Sequence, residues 1–291
     1  MEIKRKPNWL KTRLPGTGQF SNVKKILRKY KLHTVCEEAR CPNIGECWGS
    51  GTATFMILGN VCTRHCKFCA TLTGNPHGIV DEEEPERVAK AALELGLNYV
   101  VLTSVTRDDL EDQGAHIYSE TVKQIKRLNP QIYVEVLTPD FYADPELIEI
   151  VISSGVDVFA HNVETTKRLT KMVRDRRFSY EKSLQALRIA KKLNPHIITK
   201  SGFMVGLGET EDEIIETMQD IKDAGCEIIT IGQYLRPTRR HLPVERYVTP
   251  EEFNYYKEVG LKMGFRFVAS GPLVRSSYRA SEAFLLDKPS K

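Results

Sequence analysis

Six of the chain's seven cysteines lie between positions 36 and 69, in two groups of three. Cys36, Cys41 and Cys47 follow the spacing C-x4-C-x5-C, and Cys62, Cys66 and Cys69 follow C-x3-C-x2-C. A closed zinc site draws four ligands in paired C-x2-C steps, and neither triplet has a fourth cysteine beside it. Three thiolates suit three irons of a cubane cluster. The fourth iron is then open to substrate or cofactor, as a reactive cluster needs and a pure electron carrier does not. His65 sits inside the second triplet but is set aside as a ligand, because Cys66 already fixes that stretch of backbone. Arg64 and Lys67 are expected to neutralise an anionic cluster. The basic opening "MEIKRKPNWLKTRLP" is followed by no apolar h-region, so the expected location is the cytoplasm, where thiols stay reduced and cysteines serve metal rather than disulfides.

The elements that must position these thiols follow from the pattern after residue 50, where short β-branched runs alternate with amphipathic stretches, as in a parallel sheet built of βα units. Strands are predicted at "ATFMILG" from Ala53, "YVVLTSV" from Tyr99, "IYVEVLT" from Ile132, "VDVFAHNVE" from Val156, "IITKSGFMVG" from Ile197 and "EIITIGQYL" from Glu227. Helices are predicted at "PERVAKAALELG", "HIYSETVKQIKRLN", "DPELIEIVISSG", "SYEKSLQALRIAKKLN", "ETEDEIIETMQDIKDAG" and "TPEEFNYYKEVGLKMG", with Gly96, Gly155, Gly225 and Gly264 at their ends and "TPEE" as a capping box. A seventh apolar run, "FRFVASGP", leads into the tail. Six βα units fall short of the eight that close a barrel, so the expected fold is α/β, an open, partial (β/α)6 TIM-like barrel. A doubly wound sheet is the runner-up, but no G-x-G-x-x-G follows the first strand. The second triplet lies directly after that strand, on the rim where such barrels bind ligands.

With 291 residues, 41% of them apolar and 27% charged, the composition is that of a globular chain, without low-complexity tracts, solenoid repeats or an apolar run of membrane-spanning length. A formal net charge of +4 is too mild to point to nucleic acid and suits an acidic protein partner. The densest positive segment, "RPTRRHLPVER" from Arg236 to Arg246, is either a solvated loop or part of a site, depending on its place in the fold. "GLGET" lacks the Lys-Ser/Thr ending of a phosphate loop, and Cys226, alone at the edge of a buried strand, reads as packing.

The C-x3-C-x2-C loop at the end of a first barrel strand resembles the radical S-adenosylmethionine superfamily. The segments "CPNIGECWGSGTATFMILGNVCTRHCKFCA", "TSVTRDDL", "HNVET", "GFMVGLGET", "QYLRPTRRHLPVERYVTPEEF" and "GPLVRSSYRA" extend the resemblance, over nearly the whole chain, to the lipoyl synthase family. The resemblance implies two 4Fe–4S clusters per subunit and S-adenosylmethionine. The cluster on Cys62, Cys66 and Cys69 would cleave that cofactor to a 5'-deoxyadenosyl radical, an oxidant suited to unactivated aliphatic C–H bonds. A sacrificed auxiliary cluster on Cys36, Cys41, Cys47 and Ser277, the second serine of R-S-S-Y, would donate sulfur. The product implied is a lipoyl group, made by inserting two sulfurs at C6 and C8 of a protein-bound octanoyl chain. Implied partners are octanoylated carrier domains (the glycine cleavage H protein and the acyltransferase subunits of 2-oxoacid dehydrogenases), a ferredoxin or flavodoxin reductant and an iron–sulfur carrier protein, with no nucleic acid and no membrane. Without the resemblance, "RSSY" reads as a C-terminal turn whose hydroxyls satisfy backbone groups.

By position at strand ends, Ser104, Asn162, Glu164, Arg174 and the Gly206–Gly208 turn are candidates for the cofactor pocket. Each has a plainer reading: Ser104 as a cap, Asn162 as a bridge between strands, Arg174 paired with an acid, the glycines serving only their turn. Trp48 and Tyr278 either shield a cluster or fill core. The expected organisation is an N-terminal extension over 1–50, the barrel over 51–264 and a C-terminal extension over 265–291. Three loops depart from the family pattern: Gln113 and Ala143 stand where glycine is usual, and "VRDRR" replaces V-R-P-G-A, none of them expected to touch a cluster ligand. Two other readings stay open. One is another radical sulfur-inserting enzyme, biotin-synthase-like or methylthiolating, which would share only the C-x3-C-x2-C loop; the other is an electron-carrying or scaffold protein with two closed metal sites.

Overall fold

The computed structural model describes residues 5–11, 18–49, 54–278 and 280–285. Helix α1 (Gly18–Lys29), strand β1 (His33–Thr34) and short helices α2 (Val35–Glu38) and α3 (Ile44–Gly49) precede strand β2 (Thr54–Ile57), whose predicted first residue, Ala53, lies outside the described residues. A small parallel pair, β3 (Val61–Cys62) and β4 (Leu72–Thr73), brackets Cys66 and Cys69. The regular alternation follows: α4 (Glu84–Glu94), β5 (Tyr99–Ser104), α5 (Ala115–Leu128), β6 (Tyr133–Leu137), α6 (Pro145–Ile152), β7 (Val158–Ala160), α7 (Thr170–Val173), α8 (Tyr180–Leu193), β8 (Ile198–Val205), α9 (Glu211–Asp223), β9 (Ile228–Gln233), α10 (Pro250–Lys262) and β10 (Phe267–Gly271). Helix α11 (Ala280–Leu285) ends the described chain.

The main sheet runs β1-β2-β5-β6-β7-β8-β9-β10, with β1 antiparallel to β2 and the other pairs parallel. Parallel neighbours in unbroken chain order are the mark of a barrel wall; a doubly wound sheet would reverse direction at a switch point. The wall is open, with β1 and β10 as its edges. It holds seven parallel strands rather than six, because "FRFVASGP" forms β10 and pairs with β9 from Phe267↔Ile228 to Gly271↔Gly232. The sheet therefore continues past residue 264.

Local signals account for the elements. Every residue of β2 and β9 is buried, as in a strand covered on both faces. Thr249 and Glu252 form the anticipated capping box on α10, and Thr210 with Glu213 forms a second on α9. Gln113 and Ala143 adopt left-handed φ values of 51° and 58°, which explains why glycine, free of the Cβ clash, would be the easier residue there. The N-terminal segment is part of the main core: Val23, Ile26 and Leu27 of α1 pack with Trp48, whose ring lies 5.0 Å from that of Phe20.

A buried ion pair crosses β7. Lys200 on β8 reaches both carboxylate oxygens of Glu135 on β6, at 2.7 and 3.0 Å, and Tyr99 donates to the same carboxylate at 2.6 Å. Both charged side chains are at most 2% exposed. Removing one partner strands a charge, so Lys200→Met is expected to lower unfolding stability by about 3–5 kcal/mol, with much of the loss recovered in Lys200→Met/Glu135→Gln. Denaturant unfolding of the three proteins measures this; equal stabilities would show that the pair contributes nothing.

Candidate functional site

A cavity of about 820 Å³ extends from the segment before β5, at Leu95–Asn98, to residues at the carboxyl ends of the strands, and all six cysteines of the two triplets border it. The second triplet is held by a polar frame. The backbone N–H of Arg64 donates to Cys62 Sγ at 3.4 Å, that of Asp175 donates to Cys66 Sγ at 3.3 Å, and Thr71 Oγ1 lies 3.3 Å from Cys69 Sγ. Burial raises the Cys66 thiol to about 12 and also raises Cys69, so in the absence of a cation both would stay protonated at neutral pH. Donors aimed at sulfur favour the thiolate form that metal binding requires.

The loop itself is clamped from below. Arg64, fully buried, bonds Asp108 through Nε and Nη2 and Asp140 through Nη1 at 3.0 Å. Arg177 pairs with Asp108 at 3.0 Å and Asp175 at 2.8 Å and donates to the Thr63 carbonyl at 2.6 Å, while the Asp175 carboxylate accepts the His65 N–H at 2.8 Å. Arg177 accordingly holds the Asp175 carboxyl well below the usual range. Two expectations change here. The charge of Arg64 is spent on Asp108 and Asp140 rather than on a cluster, and "VRDRR" does reach a candidate ligand, since Asp175 both bonds Cys66 and braces its loop. Lys67 is exposed and does not border the cavity. His65 is exposed too, its ring 3.1 Å from Thr73 Oγ1.

The first triplet comes from α2, α3 and the turn between them. Burial pushes the Cys36 thiol up to about 11 and raises Cys41, which faces the half-buried guanidinium of Arg275. The "RSSY" tail crosses this triplet: Asn43 Nδ2 donates to the Leu273 carbonyl at 2.7 Å, and Tyr278 Oη donates to Glu46 at 2.8 Å. Ser277 borders the cavity with Cys36, Cys41 and Cys47. The close approach depends on Gly232 of β9, where an added Cβ would lie 2.2 Å from the Val274 carbonyl oxygen.

Between the triplets lie the strand-end residues. Asn162 donates to Glu164 Oε1 at 3.1 Å and to Ser276 Oγ at 2.6 Å. Glu164 has a φ of 69°, a strained conformation for a non-glycine residue, and burial raises its carboxyl while Arg174 and Asn162 pull it down. Arg174 donates to Ser183 Oγ at 2.7 Å and lies 3.8 Å from the Phe178 ring. Ser104 borders the cavity with its hydroxyl bonded to the Val105 carbonyl and Tyr118. Buried His161 has its protonation pushed down to about 4, mainly by desolvation, and is neutral at physiological pH. Gly206 and Gly208 do not line the cavity. The N–H groups of Gly206 and Leu207 are taken by the Glu209 carboxylate, so this loop serves its own turn and offers nothing to a phosphate. Cys226 is core, and the basic segment packs on the cluster loop through His241 Nε2 and the Cys69 carbonyl at 2.9 Å.

Among the described residues no three His, Cys, Asp or Glu side chains converge as a single metal ion requires. A cubane asks for something else, one thiolate at each of three separate irons. Beside the second triplet Arg174 Nε, on the guanidinium that faces Cys66, is a buried N–H without a hydrogen-bond partner among the described residues, and beside the first the Trp48 indole N–H has only the Cys36 sulfur to meet. Such donors are costly unless an acceptor meets them, so the residues fit anionic clusters and a carboxylate-bearing cofactor. Sequence reasoning missed Asp108, Asp140, Asp175, Arg177, Asn43 and Gly232. Asp108, Asp175, Arg177, Asn43 and Gly232 stood inside the quoted segments, but their roles carry no local signal because their partners are remote in sequence.

The family model of the radical SAM superfamily matches residues 56–221, and that of the N-terminal domain of lipoyl synthase matches residues 1–41. Among curated proteins, the lipoyl synthase of Marinobacter nauticus is 57% identical over 97% of this chain and 81% of its own length, and that of Thermus thermophilus is 56% identical over 96% and 87%. Among solved structures, methylornithine synthase superposes with a TM-score of 0.56 at 14% identity, covering 90% of this chain and 85% of its own. The FeFe-hydrogenase maturase HydG of Carboxydothermus hydrogenoformans gives 0.53 at 16%, covering 80% and 65%. At such identities these two structures speak for the fold alone.

Proposed function

The chain belongs to the lipoyl synthase family of radical S-adenosylmethionine enzymes, and from that premise we propose how its residues divide the work. The enzyme is a sulfurtransferase that inserts sulfur at C6 and C8 of a protein-bound octanoyl chain. When bound, S-adenosylmethionine and its 4Fe–4S cluster supply a carbon radical strong enough to take hydrogen from an unactivated C–H bond, which no side-chain base can deprotonate. Cys62, Cys66 and Cys69 hold that cluster, with the N–H groups of Arg64 and Asp175 fixing two of the sulfurs. Asn162, Glu164 and Arg174 bind and orient the cofactor, and Ser104 lines its pocket. Cys36, Cys41, Cys47 and Ser277 hold an auxiliary cluster as the sulfur source. The observation that carries this reading is that one cavity is bordered by both triplets, so that an alkyl chain entering it would have a cluster site on either side. The N-terminal extension over 1–50 and the tail after β10 supply the auxiliary site, and the chain from 51 through β10 supplies the barrel.

Octanoylated carrier domains of the glycine cleavage H protein and of 2-oxoacid dehydrogenase acyltransferases are the proposed substrates. A ferredoxin or flavodoxin is the electron source, and an iron–sulfur carrier protein rebuilds the spent cluster. No described helix is long and apolar enough to cross a membrane, and the thiol-rich site suits the reducing cytoplasm. The test is direct: reconstituted protein, S-adenosylmethionine, reductant and an octanoylated carrier peptide should yield peptide heavier by two sulfur atoms. An unchanged peptide would overturn the assignment, and modified dethiobiotin in its place would favour a biotin-synthase-like activity.

The auxiliary site yields a second expectation. Gly232→Ala forces a Cβ against the Val274 carbonyl and lifts the tail that carries Ser277. Iron should fall from about eight toward about four per chain, while the cofactor is still cleaved. Iron and acid-labile sulfide analysis after anaerobic reconstitution measures this, and full iron content would show that the tail can shift without cost to the cluster.

A further inference from the structure

The tail is fastened residue by residue, with one exception. Leu273 is held by Asn43, Val274 rests on Gly232, Arg275 donates to the Gln233 carbonyl at 3.3 Å, Ser276 accepts from Asn162 at 2.6 Å, and Tyr278 donates to Glu46. Ser277 alone has no hydrogen bond to another described residue. The two serines thus do different work. Ser276 is tied to the barrel by a contact 114 residues away in sequence, and Ser277 borders the cavity that the first triplet also lines. Asn162 Nδ2 carries two hydrogens, one given to Ser276 and the other to Glu164. A cofactor that engages the amide of Asn162 or the carboxylate of Glu164 must redistribute those two bonds, and the tail is one of the parties.

We propose that Ser276 is a positioning residue that links the cofactor pocket to the auxiliary site: through Asn162, cofactor binding sets how the Ser277 hydroxyl meets the first triplet. The link rests on the reading that places Asn162 and Glu164 in the cofactor pocket and Ser277 on the auxiliary cluster. Coupling of this kind is reciprocal, so the state of the auxiliary corner also feeds back on cofactor affinity.

The test uses the full chain carrying both clusters, titrated with S-adenosylmethionine without reductant. The auxiliary component of the Mössbauer spectrum, identified from protein lacking Cys62, Cys66 and Cys69, is expected to shift in the wild type. That shift is lost in Ser276→Ala and restored in Ser276→Thr. In turnover, Ser276→Ala should release more 5'-deoxyadenosine per lipoyl group, by about fivefold or more if the coupling is of ordinary size. An auxiliary signal that ignores the cofactor in the wild type, or that shifts equally in Ser276→Ala, overturns the link. Ser277→Ala separates the two levels. If its auxiliary spectrum matches the wild type, the ligation reading itself fails; if it differs while the wild type ignores the cofactor, ligation stands and only the link falls.

Discussion

The Cys66→Ala variant is expected to lose cleavage of S-adenosylmethionine completely, and with it all sulfur insertion, while keeping the auxiliary cluster. Of the three thiols in its loop, Cys66 is the one whose environment is built from the most distant parts of the chain. Asp175 bonds its sulfur, Arg174 faces it, and burial raises it to about 12. A thiol in that state is inert at neutral pH unless a cation displaces its proton, as the proposed ligand role requires. Removing it leaves two thiolates for a cubane that has no other protein ligand here, and iron should settle near four per chain instead of about eight. Quantifying 5'-deoxyadenosine and iron together is decisive, because cofactor cleavage at wild-type rate by this variant would move the radical chemistry to the other triplet. Cys226→Ala is the control: that thiol is buried in the core far along the sheet and its loss should leave both quantities unchanged.

How far this site could be read from sequence depends on whether its contacts are local. The second triplet was legible because three thiols in one loop after one strand are a local pattern, and the helices were legible because caps, stops and apolar faces are local too. The count of parallel strands was short by one because "FRFVASGP" has no helix after it, and only its pairing with β9 shows that it belongs to the wall. Arg64 was misjudged for a similar reason. Beside two cysteines in sequence it looks like a counter-charge for a cluster, but a guanidinium with no solvent must find carboxylates, and Asp108 and Asp140 arrive from the ends of other strands. "VRDRR" was taken for a loop variation remote from the ligands, whereas Asp175 and Arg177 bind the cysteine loop through backbone groups that no sequence pattern marks. At the Gly206–Gly208 turn the glycines were legible but the contact inside it was not, since nothing in the spacing marks that the Glu209 carboxylate takes the N–H groups of Gly206 and Leu207.

The second large effect is expected at Ser277. Ser277→Ala should abolish lipoyl formation while 5'-deoxyadenosine is still produced, because the two triplets are held by different parts of the chain and only the tail's contribution is removed. Arg275, Ser276 and Tyr278 keep their own contacts, so the tail remains docked and the change is confined to one oxygen. A serine oxygen is a harder ligand than thiolate and an unusual one for iron, so under the proposed ligation the corner it ties would be the weakest of the four and the place where the cluster would open and release sulfide. That argument makes a sharper prediction for Ser277→Cys. A thiolate at the same corner should hold the auxiliary cluster at least as well, preserving iron near eight per chain, and yet give little or no lipoyl product because the corner no longer opens. The pair of variants separates holding the cluster from surrendering it: alanine tests the first and cysteine the second. Full lipoylation by Ser277→Ala, read as peptide mass, would remove Ser277 from the sulfur chemistry, and full lipoylation by Ser277→Cys would show that a labile oxygen at that corner is not what the reaction requires.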